Sequence, residues 1–156
     1  MNDDLHALRI LLGQAERQRD EALAEQLRLA ATLLAAEAQA EQLVVYRQAY
    51  EARWSEAFSR EGHIELVRCY QGFVERLNQA VAQQQGVAVQ AATQVERAIA
   101  IVLGHDVRAA ALKKLIERRT EQGLRADGML ERKQHDEHAS RAAWLRLAAA
   151  NPRRNA

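Results

Sequence analysis

The chain has 156 residues and a formal net charge of +1, with 48% hydrophobic residues but only 4% aromatic ones. Ala, Leu, Gln, Glu and Arg dominate, a composition that belongs to long helices; strands need Val, Ile, Thr and aromatics alternating with period two, so a sheet is excluded. The single Cys69 excludes an internal disulfide and cannot complete a metal cage.

The opening, Met1 to Gln14, carries acids where a secretion signal needs positive charge, and no apolar run approaches the roughly 18 to 20 residues of a membrane span. A cytosolic protein is expected. The first helix is predicted over about residues 3–60, with Asn2 or Asp3 as its N-cap and Asp3 and Asp4 set against the positive end of the helix dipole. Its a/d seam starts at Leu5, Leu8, Leu12 and Ala15 and continues at heptad spacing to Trp54 and Ala57. Only Arg19, Gln26 and Arg47 interrupt it.

A turn is predicted at about residues 61–63, where Gly62 is suited to the left-handed conformation that ends a helix. The second helix is predicted over about 64–149, before a tail at 150–156 that contains Pro152. Val67, Val74, Val81, Ala88, Val95, Val102, Ala109 and Ile116 recur every seventh residue. Tyr70, Leu77, Ala91, Ala98 and Leu112 mark the other seam position, interrupted by Gln84 and His105. A sustained seven-residue repeat imposes a left-handed supercoil.

The fold expected is therefore all-α: one domain, two long helices in an antiparallel left-handed coiled-coil hairpin, the second helix longer. Folding about Gly62 sets Leu5 opposite a residue near 118, and the paired part would be on the order of 90 Å long. Gly123 and Gly128 are the places where the second helix is open to a kink, since each costs about 1 kcal/mol relative to Ala. The helix is expected to run through Gly13, Gly72, Gly86 and Gly104.

Charge is uneven along the chain. Residues 1–61 hold seven Lys and Arg against eleven acids, and residues 108–156 hold twelve against six. A basic end can pair with the acidic first helix or bind a partner. Nucleic acid is disfavoured, because Arg118, Arg119, Arg132 and Lys133 are interleaved with Glu117, Glu121, Glu131 and Asp136, which repel phosphate.

Chemistry-bearing motifs are missing: there is no phosphate-binding glycine loop and no nucleophile beside a base. No catalytic residue and no cofactor is assigned. His135 and His138 stand one turn apart with Asp136 and Glu137 between them, but a metal needs three or four convergent ligands, so a solvated face is expected. More informative are two stripes: Phe73, Leu77, Ala80 and Gln84 on the second helix, and Gln39, Leu43, Tyr46 and Tyr50 on the first. They are either extra packing near the turn or an exposed protein-binding surface.

With these stripes in order, the sequence resembles the FliJ family, the coiled-coil component of the flagellar type III export apparatus. The resemblance rests on LLGQAERQRDEA with Ala15, Asp20 and Ala22, on the two stripes around Gly62, and on ERKQHDEHASRAA with Lys133, Asp136, Glu137, Ala139 and Arg141. It implies a likeness to the stalk of rotary ATPases, with the paired terminal ends entering and promoting assembly of the hexameric export ATPase (FliI). It implies ATPase contacts at Ala15, Asp20, Lys133, Asp136, Glu137 and Arg141. A contact with the cytoplasmic domain of the export gate (FlhA) would use the two stripes, with Gln84 where the family commonly has His. It further implies handling of export chaperones, and a place at the cytoplasmic face of the inner membrane held only through partners. The stalk protein of a virulence injectisome, and a basic coiled coil that binds nucleic acid or anionic membrane, are the alternative readings; an enzyme is the remote one.

Overall fold

A computed structural model describes residues 2–60 and 62–151. Two α-helices account for nearly all of them: α1 spans Asn2–Arg60 and α2 spans Ile64–Ala150. Asn2 and Asp3 lie inside α1 rather than capping it, with Asp3 and Asp4 in its first turn. Glu61, Pro152 and residues 153–156, part of the expected turn and tail, lie outside the described residues.

The left-handed cap expected at Gly62 does not form: no described glycine has a positive φ. A Cβ at Gly62 would meet nothing within 4 Å, so no close approach demands glycine there. Instead α2 starts from His63, whose carbonyl accepts a hydrogen bond from Val67 N at 3.3 Å. Nor is α2 broken at Gly123 or Gly128; it is helical through both.

Packing divides the chain into two units, Ala15–Val107 and Met1–Gln14 with Arg108–Ala156. In the first, α1 and α2 pack along the heptad seam. The seam positions from Ala15 to Trp54 and from Val67 to His105 are all buried or half-buried; Ala57 is the exposed exception. Among the described residues here, Ala15, Ala36, Ala40, Leu77, Val81, Ala91 and Ala98 are buried, five of the seven being alanine. Small knobs bring the helix axes close, but each contributes little apolar area.

Larger side chains gather near the turn. Tyr50 packs on Phe73 with ring centroids 4.3 Å apart and on Tyr70 at 5.9 Å. Trp54 lies 5.5 Å from Tyr70, and Phe58 meets Tyr70 edge-on at 5.3 Å. Such pairs contribute about 0.5–1.5 kcal/mol each beyond their buried area.

Three of the polar interruptions of the seam, Arg19, Arg47 and Gln84, are paired across it. Arg47 Nη1 donates to Asn78 Oδ1 at 3.0 Å, Gln84 Nε2 donates to Gln39 Oε1 at 3.0 Å, and Arg19 reaches Asp106 at 3.8 Å. Each pair is symmetric about Gly62 to within about one residue, and a polar partner at a seam position fixes register.

In the other unit, Leu5, Leu8 and Leu12 are half-buried on α1, with Ala109 buried and Leu112 and Ile116 half-buried on α2. Arg119 approaches Asp4 at 3.8 Å, the pairing expected from a fold about Gly62. Residues 131–150 are exposed throughout.

By length and composition, α2 contains a stretch of 18 residues apolar enough to cross a membrane, and 11% of it is buried. Polar and apolar residues are interleaved in that stretch, and it contains no unbroken apolar run of membrane-spanning length.

Candidate protein-docking surfaces

In a two-stranded coil with seam positions a and d, position g flanks the seam on one side and e on the other. Counting from the seam, Gln39, Tyr46, Phe73 and Ala80 are g residues, while Leu43, Tyr50, Leu77 and Gln84 are d residues. The two stripes therefore form one face along the same side of the seam, within Ala15–Val107.

The structure divides that face by burial. Leu77 is 7% exposed, a core residue, and Leu43, Tyr50, Phe73, Ala80 and Gln84 are half-buried. Tyr46 is 48% exposed and stacks on Tyr50 at 6.4 Å, and Gln39 is exposed. Gln84 also donates to the Ala36 carbonyl at 3.4 Å, so its amide closes the seam and holds Gln39 beside it. The stripe is thus packing at its centre, and what a partner can reach is its rim: Tyr46, Gln39 and the outer edges of Phe73 and Ala80. Trp54, Phe58 and Tyr70, which sequence reasoning left out of the site, brace Tyr50 and hence Tyr46. The crowding of aromatics between residues 46 and 73 was the available signal.

Ala15 is 1% exposed, so its methyl group belongs to the seam. Asp20 is exposed and pairs with the neighbouring Arg19 at 3.1 Å. In the other unit, Lys133, Asp136, Glu137 and Arg141 follow one another along one strip of α2 with Arg132 and Ser140, both charges intermingled. Trp144, Leu145 and Leu147 lie further along, exposed at 69%, 63% and 71%.

Among the described residues no three His, Cys, Asp or Glu side chains converge on a common point. His135 and His138 line a shallow groove with Glu131 and Gln134 on the exposed part of α2.

The family described as "Flagellar FliJ protein" matches residues 5–148, nearly the whole chain. The chain belongs to the FliJ family. Neither the curated proteins nor the solved structures provide a match. Membership makes this an export-associated coiled-coil protein of the flagellar type III secretion system, within a family of cytoplasmic, non-catalytic components of that apparatus. The helical hairpin agrees with it.

Proposed function

We propose that this FliJ-family chain is a two-grip adaptor. The exposed end of α2 engages the hexameric export ATPase (FliI) and promotes assembly of its ring, and the rim of the d/g face engages the cytoplasmic domain of the export gate (FlhA). Handling of export chaperones belongs to the same role, as does attachment to the inner membrane through partners alone. The protein turns over no substrate itself.

The observation that carries this reading is the contrast between the two regions. Residues 131–150 leave every side chain free for a partner. The d/g face instead has a fixed core with an aromatic rim, Tyr46 being 48% exposed over a braced ring cluster. Rigid aromatic side chains give contact area at little entropic cost.

A pull-down of the full chain with the ATPase and, separately, with the gate domain tests it. Tyr46→Ala should weaken gate capture and leave ATPase capture intact, and Lys133→Ala with Arg141→Ala should do the reverse. Unchanged capture of both partners by both variants would refute the two-grip assignment.

A further inference from the structure

A second apolar stripe runs along Ala15–Val107 on the other side of the seam. On α1, Leu23, Leu27 and Leu34 occupy e and b positions and are 42%, 63% and 69% exposed. On α2, Val89, Ile99 and Leu103 occupy the same positions and are 67%, 47% and 62% exposed. The antiparallel pairing puts Leu34 near the level of Val89, and Leu23 near that of Ile99 and Leu103. Alanines Ala30 and Ala92, half-buried, fill the places between. The spacing on α1, four then seven residues, is that of a seam, and a helix that is apolar on more than one side has a second burial surface to satisfy.

The charged residues at the e and b positions of this face carry one sign. Over residues 20–44 and 78–106, its e and b positions include Asp20, Glu37, Glu41, Glu96 and Asp106, and no Lys or Arg. Two seam arginines reach this side, Arg19 to Asp20 and Asp106 and Arg47 to Asn78, and the five acids outnumber them. Arg28, paired with Glu25, and Arg97 line a groove on the opposite, g side together with Ile101. We infer that this acid-framed apolar face is a docking site for an amphipathic helix of another protein, one whose apolar stripe is bordered by lysine or arginine. This occupant is independent of the two grips proposed above.

The charges choose that occupant. A second copy laid antiparallel on the face would bring Asp20 and Asp106 against Glu37 and Glu41 of the other copy, and an anionic membrane would meet the same carboxylates. The six aliphatic side chains expose on the order of 600 Å² together, near the roughly 800 Å² per partner of a stable interface.

The test uses the full-length chain and a labelled synthetic peptide of about 21 residues, with Leu at its a and d places and Lys beside them. A twin peptide carries Glu in place of Lys. Fluorescence anisotropy should show the Lys peptide bound and the Glu peptide not. Leu27→Gln with Leu103→Gln keeps every charge and should lower affinity about tenfold or more. Glu37→Gln with Glu41→Gln should lower it several-fold and flatten its salt dependence. All four side chains are exposed, so the helical circular dichroism should be unchanged in both variants. Equal binding of the two peptides overturns the inference, as does undiminished binding by the Leu27→Gln, Leu103→Gln variant. Self-association in sedimentation, or flotation with anionic vesicles, that this variant abolishes would assign the face to a second copy or to a membrane and overturn it too.

Discussion

The rings of Tyr50 and Phe73 meet across the hairpin at 4.3 Å, and this contact makes one face serve both folding and display. Tyr50 holds the seam from α1, Phe73 flanks it from α2, and Tyr46 stands outside them on the same stack. Core and rim of the d/g face therefore separate by substitution.

Leu77→Ala removes a side chain that is 7% exposed and should destabilise the hairpin by about 2–5 kcal/mol. Tyr46→Ala should cost well under half as much. Thermal melts followed by circular dichroism will show it, and equal midpoints for the two variants would contradict the division into core and rim.

Gln39 and Gln84 share a 3.0 Å hydrogen bond across the seam. A double-mutant cycle to Ala should give a coupling of about 0.5–1.5 kcal/mol in urea unfolding. Gln84→Ala should cost more than Gln39→Ala, because Gln84 alone also serves the Ala36 carbonyl.

Gly86 and Gly104 sit inside α2, where an added Cβ would meet nothing within 4 Å. Replacing either by Ala should stabilise the fold by about 1 kcal/mol, through helix propensity and a less flexible unfolded chain. The midpoint of urea unfolding should rise with an unchanged slope.

The two tryptophans report on different surroundings. Trp54 is half-buried against Tyr50, Phe58 and Tyr70, whereas Trp144 is 69% exposed. The Trp144→Phe variant should emit at shorter wavelength than Trp54→Phe, and only the former should shift to the red on unfolding.

Much of this was legible in the sequence because a seven-residue repeat is a statement about one line on a helix surface. Apart from Ala57, the positions counted from Leu5 and from Val67 are the ones that pack. The turn was legible in place but not in kind: Gly62 permits a left-handed cap, yet a reversal with open space around it does not require one. Burial of Leu77 followed from its seam position, but the exposure of Tyr46 against the half-burial of Phe73 could not be read, since flanking heptad positions look alike until the partner helix is in place. The stripe of Leu23, Leu27 and Leu34 escaped because it repeats with the same period as the seam, shifted by one residue.

Alanine at five of the seven buried positions of Ala15–Val107 leaves the two strands in contact through methyl groups, which offer shallow teeth against lengthwise slippage. Pull one strand along the other and the resistance falls on a few rungs: Arg47 with Asn78, Gln39 with Gln84, and the rings around Tyr50. A tug on one strand therefore reaches the bend through these rungs.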